Sequence, residues 1–315
     1  YYNEKKIKIF ICTYKRSDVL NELLENIFTS DFKEYENTEV NIINNHSSFH
    51  MDEKYEGKVN IYHNMCRPDW SCGNLGQTWN QALVLGFKSL IHPDAKYVIC
   101  LQNDCVLDKK WLSNLLTMHQ KYDFIAGRFG DNILSYKVDA VKTIGLWDES
   151  FQNPHHEADY YLRALHFMKD KCLINDEMHR RVWNPNDDYL TLDIPDGRNI
   201  TEQLLRRPDD KENEEIWIGC RGGVINDYGW QYFQHKWNGT HKLKVSKQGW
   251  IKDWSKEILE NPPKPKKNSM TMMYPYFEKD IINLKEKGYW EPEGYGKKEW
   301  ADWEQKNNQS NKDSL

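Results

Sequence analysis

No apolar run in this 315-residue chain approaches the roughly 20 residues that a bilayer-spanning helix needs. The start of the chain has no apolar core of the signal-peptide kind. No transmembrane segment is therefore expected, in keeping with a mean hydropathy of −0.87. Cysteine is scarce. The seven residues are odd in number and form no CxxC pair, which argues against a disulfide frame or a zinc site. Reduced thiols and a cytoplasmic location are the expectation. Basic residues are not in excess: 43 Lys and Arg face 48 Asp and Glu, for a net charge of −5. Without a basic stripe, nucleic acid is not an expected partner.

The chain is rich in rings, with 13 Trp and 18 Tyr. Rings bury much area per residue and keep a polar handle, so they offset the modest aliphatic content. The segment Lys96–Leu107, KYVICLQNDCVL, is the most informative. An apolar run of strand length passes directly into Gln102, Asn103 and Asp104. Such a run is typical of a strand covered on both faces, and the carboxyl end of such a strand is where open α/β sheets hold ligands. Asp104 is thus either an oxygen donor to Mg²⁺ or Mn²⁺ or a cap for the helix expected near Lys109.

Periodicity predicts strands at Lys6–Thr13, Glu39–Asn44, Lys58–His63, Tyr97–Leu101 and Phe124–Gly127. Helices are expected at Asp18–Phe28, Gly76–Leu90 and Trp111–His119, a short strand and helix within Ser135–Gly145, a helix at Ala158–Lys169 and a late strand at Lys171–Ile174. Strands alternating with helices imply an α/β fold with a mainly parallel sheet and crossover helices. The pattern weakens after about residue 184, and ENPPKPKKNS at Glu260–Ser269 is a linker. A core over residues 1–185 and an extension over 186–315, helical near Tyr276–Lys287 with a frayed tail, are expected.

Four loops carry polar residues: Thr13-Tyr14-Lys15-Arg16, Asn44-Asn45-His46-Ser47, Asn74-Leu75-Gly76-Gln77 and Gln102-Asn103-Asp104. In a parallel sheet they share one edge and can converge on one ligand. A tyrosine for stacking, amides for a base edge and a glycine-led helix start suit a nucleoside diphosphate. The first loop has no glycine to cradle a triphosphate, which disfavours a nucleotidyltransferase.

These loops, in this order, resemble the GT-A glycosyltransferases, above all the rhamnosyltransferase and polysaccharide-building group. Thr13-Tyr14-Lys15-Arg16 is similar to the group's Thr-Tyr-Asn-Arg loop, and Ile43-Asn44-Asn45-His46-Ser47 to its Val-Asp-Asn-Gly-Ser. Asn74-Leu75-Gly76 with Trp79-Asn80 resembles its Asn-x-Gly and Arg-Asn, and Gln102-Asn103-Asp104 its Asp-Asp-Asp metal motif. Gly145–Phe151 resembles Gly-Phe-Asp-Glu-x-Phe, and His156–Arg163 a Glu-Asp-x-Asp-Leu-x-x-Arg helix start. Tyr232–Gly239 resembles a Tyr-x-x-x-Lys-Trp-Gly-Gly segment. Asn44, Trp79 and Gln102 depart from the group's Asp, Arg and Asp.

The resemblance implies a GT-A, Rossmann-like fold with a helical C-terminal extension, and a transferase that moves sugar from a UDP or GDP donor to a glycan, glycoprotein or other hydroxyl acceptor. It implies donor contacts from Thr13, Tyr14, Arg16, Asn44, Asn45, Asn74, Gly76, Asn80, Gln102, Asn103 and Asp104. Asp104, with His179, would hold Mn²⁺ or Mg²⁺, a nitrogen ligand favouring Mn²⁺. Glu157 and Asp159 are the candidate catalytic carboxylates, Glu157 as base in an inverting reaction and Asp159 as a structural or acceptor-binding group. Both also suit capping of the helix that follows, and His155 and His156 are alternative acceptor ligands or bases. A non-catalytic nucleotide- or glycan-binding module on the same fold is the competing expectation.

Overall fold

The computed structural model describes residues 6–64, 75–105, 107–127, 132–151 and 156–175, together with Phe233, Lys236 and Trp237. In chain order the elements are β1 (Lys6–Thr13), α1 (Ser17–Thr29), β2 (Thr38–Asn44), β3 (Val59–His63), α2 (Leu75–Phe87), β4 (Ala95–Gln102), α3 (Trp111–Met118), β5 (Phe124–Gly127), β6 (Ile133–Tyr136), α4 (Val138–Ile144), α5 (His156–Met168) and β7 (Cys172–Asn175). The strands form one seven-stranded sheet in the order β3-β2-β1-β4-β6-β5-β7. Strand β6 pairs antiparallel with both neighbours, and the other pairings are parallel. The α/β class and the mainly parallel sheet match the expectation from the sequence. Boundaries move by one to three residues, and the helix expected to reach Leu90 ends at Phe87.

Side chains alternate along β1 and so build two cores. Ile9 and Ile11 face one side, where Leu20, Leu23, Leu24 and Ile27 of α1 and Trp111, Leu112 and Leu115 of α3 cover them. Phe10 and Cys12 face the other, under Trp79, Leu83 and Phe87 of α2 and the rings of α5. The four α1 residues follow 3.6-residue spacing and are wholly buried, each worth roughly 1.5–3 kcal/mol of transfer free energy. Helix α2 lies close to the sheet because residue 86 is glycine: a Cβ there would stand 2.5 Å from Val98 Cγ2.

Helix ends are closed both by local groups and by a distant side chain. Ser30 ends α1, its hydroxyl donating to the Ile27 carbonyl at 2.7 Å and accepting from Trp111 Nε1 at 3.0 Å. Asp31 caps α3, its carboxylate accepting from the Leu112 and Ser113 amides at 3.3 and 2.8 Å. Asp104 therefore does not have the capping role that its position before α3 allowed. Gly145 ends α4 at φ 85°, and its N–H donates to the Val141 carbonyl at 2.9 Å.

The described cysteines Cys12, Cys100, Cys105 and Cys172 are buried free thiols, and burial pushes the Cys172 thiol well up from its ordinary value. Phe233 and Trp237 pack into the core with α2, α4 and α5. Trp237 is thus a core ring. Trp217, Trp230, Tyr232, the linker at Glu260–Ser269, the helix expected near Tyr276–Lys287 and the boundary at 185/186 lie outside the described residues.

Candidate functional site

The strand order reverses between β1 and β4, which places a crevice at their carboxyl ends. Register sets the rim: Thr13 lies opposite Asn44, Asn44 opposite His63, and Cys12 opposite Gln102. Three of the four polar loops identified in the sequence therefore meet on one edge. The fourth, before α2, is described only from Leu75 onward, so Asn74 lies outside the described residues.

The loops are tied together. The Asn45 amide donates to the Thr13 carbonyl at 2.9 Å, and the Asn103 amide to the Cys12 carbonyl at 3.1 Å. The Asn103 side chain donates to Thr13 Oγ1 at 3.1 Å and to the Arg16 carbonyl at 3.3 Å. Asn45 Nδ2 reaches Thr78 Oγ1 of α2 at 3.2 Å, and its Oδ1 accepts from Asn64 at 2.9 Å. Asn64 in turn exchanges amide bonds with Gln81 at 2.7 and 3.2 Å. Thr13 and Asn45 are buried, so their side chains form the frame of the rim.

Asn44 is also turned inward. Its Oδ1 accepts from the His46 amide at 3.1 Å, and its Nδ2 donates to the His46 carbonyl at 2.7 Å and contacts His63 Nδ1 at 3.0 Å. An amide N–H there requires His63 Nδ1 to accept, which puts the ring proton on Nε2. Tyr14 and His46 remain half-buried at the surface, edge to face at 5.1 Å. Lys15, in the left-handed region at φ 62°, places its Nζ 5.7 Å from the Tyr14 ring centroid. Arg16 is buried and grips Asp18 through two bonds of 2.9 and 2.7 Å, which hold the Asp18 carboxyl below its ordinary range.

Gln102 and Asn103 are half-buried at the end of β4, and Asp104 next to them is 7% exposed. Gly76 lies buried in the first turn of α2. Trp79 is fully buried against the sheet, and its ring has no surface to offer a phosphate. Asn80, one residue on, is a buried brace. Its Nδ2 donates to the Trp147 carbonyl at 2.9 Å and to Glu149 Oε1 at 2.8 Å, and its Oδ1 accepts from the Trp147 amide at 2.8 Å. Trp147 stacks on Tyr160 of α5, ring centroids 4.1 Å apart and nearly parallel.

The first turn of α5 carries both candidate catalytic carboxylates, in different surroundings. The Glu157 side chain keeps 14% exposure and lies 3.4 Å from His156 Nδ1. Asp159 is fully buried and accepts from Arg163 Nε at 3.0 Å and from Trp237 Nε1 at 3.0 Å. The site contains one buried element that the sequence reading did not assign: Lys236, whose Nζ reaches Asp148 at 2.7 Å and Asp159 at 2.8 Å. Its signal was present in the sequence, a lysine between Phe233 and Trp237 in a ring-rich stretch, where a cation in the core must be paired.

Among the described residues no three His, Cys, Asp or Glu side chains converge as a metal cage. A cation held chiefly by a diphosphate asks less of the protein, one or two carboxylates. Asp104 is a buried carboxylate on that rim, and His179, His155 and the other late residues lie outside the described residues. No described helix is long and apolar enough to cross a membrane.

No family model matches the chain, and no curated protein matches it. Among solved structures the chain is similar to the mannosyltransferase PcManGT from Pyrobaculum calidifontis in complex with GDP-Man and Mn²⁺, at 10% identity and TM-score 0.38, covering 72% of this chain and 73% of that one. It is also similar to S. aureus TarS 1-349, at 12% identity and TM-score 0.40, covering 76% of this chain and 75% of that one. Both likenesses are too distant to assign chemistry to this chain.

Proposed function

We propose that this chain is a GT-A glycosyltransferase that moves a sugar from a nucleoside-diphosphate donor, UDP or GDP, to a hydroxyl of a glycan or glycoprotein, with inversion, in the cytoplasm. The observation that carries this reading is the joined rim: loops after β1, β2 and β4 are bonded to one another at the point where the strand order reverses, with Asp104 among them. Open α/β sheets bind ligands at that point.

In this reading Tyr14 and His46 flank the base, and the β4 loop faces the diphosphate. Asn44, Asn45, Thr13 and Asn103 hold the rim in shape. Gly76 gives backbone access at the start of α2, and Asn80 acts through the loop it braces. Asp104 and His179 would hold Mn²⁺ or Mg²⁺, and such an ion offsets the charge that gathers on a departing diphosphate. Glu157, the more open carboxylate of α5, accepts the proton of the acceptor hydroxyl. The freed oxygen forms a bond to the anomeric carbon on the face opposite the leaving group. The bond from that carbon to the diphosphate oxygen breaks, and its electron pair leaves with the nucleoside diphosphate. Asp159, enclosed by Lys236, Arg163 and Trp237, takes the structural part rather than that of a base.

Transfer from a panel of UDP- and GDP-sugars with Mn²⁺ tests the reading. Asp104→Asn and Glu157→Gln should each abolish transfer while the protein still folds, and Glu157→Gln should keep donor affinity. Full transfer by Asp104→Asn overturns the mechanism. A non-catalytic binding module is the second reading, favoured by Gln102 on the rim and Trp79 in the core where charged groups would otherwise serve a phosphate. Calorimetric binding of nucleoside diphosphate with metal, without turnover of any donor, would favour it.

A further inference from the structure

Three separate pieces of the chain meet at the ammonium of Lys236. Asp148 belongs to the loop between α4 and α5, Asp159 to the first turn of α5, and Lys236 to a segment far beyond β7. All three side chains are fully buried, with Lys236 Nζ 2.7 Å from Asp148 Oδ2 and 2.8 Å from Asp159 Oδ1. Arg163 completes a group of two positive and two negative charges. Its Nε bonds Asp159 Oδ2 at 3.0 Å, and its Nη1 donates to the Ile144 and Leu146 carbonyls at 2.9 Å each.

Burying such a set is costly, and well-packed apolar residues of equal volume often serve stability as well or better. What an ion set adds is a defined geometry. Each carboxylate is already anchored by its other oxygen: Asp148 Oδ1 accepts from the Ser150 amide at 3.0 Å, and Asp159 Oδ2 from Arg163. The loop and the helix already meet through the Arg163–Leu146 and Tyr160–Gly145 bonds and the Trp147–Tyr160 stack, and Lys236 adds a further link at the first turn of α5. The Lys236 Nζ also lies 5.5 Å from the Phe151 ring centroid, which the ring quadrupole favours. Glu157 stands two residues before Asp159 in the same turn.

We infer that Lys236 is a positioning residue: it locks loop 145–151 to the first turn of α5 and thereby fixes where Glu157 meets the acceptor hydroxyl. The functional half of this inference rests on the reading of Glu157 as the base. The lock itself does not.

Lys236→Met alone leaves two buried carboxylates to one arginine and can fail by unfolding. Lys236→Met combined with Asp148→Asn removes one charge of each sign, and the carboxamide at position 148 retains an oxygen for the Ser150 amide. The full chain carrying both changes is compared with wild type by amide hydrogen exchange and by initial rates. Exchange should quicken in residues 145–151 and 156–160 and stay unchanged in β1 and β4. The rate constant kcat should fall roughly tenfold to a hundredfold, with donor KM within about twofold of wild type. Unchanged exchange in those two segments overturns the lock. Quickened exchange with wild-type kcat, while Glu157→Gln is inactive, overturns the positioning role. Full transfer by Glu157→Gln instead overturns the base reading and the functional half with it, and the exchange result still decides the lock.

Discussion

The Asn103 side chain spans from the end of β4 to the end of β1, donating to Thr13 Oγ1 at 3.1 Å and to the Arg16 carbonyl at 3.3 Å. One carboxamide therefore joins the two loops on either side of the crevice. Asn103→Ala removes both bonds, and the Arg16 carbonyl keeps only the Leu20 amide at 3.2 Å of its two described donors. A loss of about 1–2 kcal/mol in denaturant unfolding is expected. Donor KM should rise more than kcat falls, because the change loosens the binding rim and not the α5 turn. Initial rates across donor concentrations, set beside a melt, check both parts.

Asp31 offers a control remote from the rim. Its carboxylate caps α3 through the Leu112 and Ser113 amides. Asp31→Ala should cost about 1–2 kcal/mol, and Asp31→Asn less, since an amide oxygen still accepts. Neither should alter donor KM. A large change in KM would mean that α3 governs the β4 loop beside it.

Gly86 tests how closely α2 must approach the sheet. Alanine would raise helix propensity by about 1 kcal/mol. Its Cβ would also meet Val98 Cγ2 at 2.5 Å and Phe10 Cε2 at 3.2 Å. Val98 is fully buried, branched at Cβ and cannot swing aside. Overpacking should win, for a net loss of about 1–2 kcal/mol. Adding Val98→Ala opens the space, so the pair should be less destabilised than the sum of its singles. Additive singles would show that the helix shifts freely.

The sequence made some of this legible and concealed the rest for a physical reason. Apolar runs and helical spacing report which face an element buries. They placed β1, β2, β4 and α1 and brought Thr13, Asn44 and Gln102 to one edge. They do not report where a polar side chain finds its partner. Asn80 braces Trp147, Asn45 reaches Thr78, and Asp31 caps α3, and each pairing spans tens of residues. Amides that read as ligand contacts also hold the frame, Asn45 and Asn80 among them. The direction of β6 was equally hidden, because four residues, ILSY, have the same pattern whichever way they run. Lys236 stood in a recognised stretch, but its pairing with Asp148 and Asp159 exists only in the folded chain.

His119 gives the fold a pH dependence of its own. The ring is 1% exposed and stacks on Tyr97 at 4.6 Å. Its Nδ1 lies 3.0 Å from the Tyr122 carbonyl and therefore donates, and its Nε2 lies 2.6 Å from Ser135 Oγ and accepts from that hydroxyl. Both nitrogens are used by the neutral ring. Burial penalises the charged form and lowers the pKa from 6.5 to about 4. An unfolded chain takes up this proton below pH 6.5 and the folded one only near pH 4. The stabilising contribution is therefore full above 6.5 and is lost as pH falls towards 4. Between pH 7 and pH 5 the loss amounts to about 2 kcal/mol. Urea unfolding of wild type and His119→Gln at both pH values isolates it from the other histidines: the variant should be less stable at pH 7, and the gap should narrow by about that amount at pH 5. A gap that stays constant would mean that His119 titrates alike in both states.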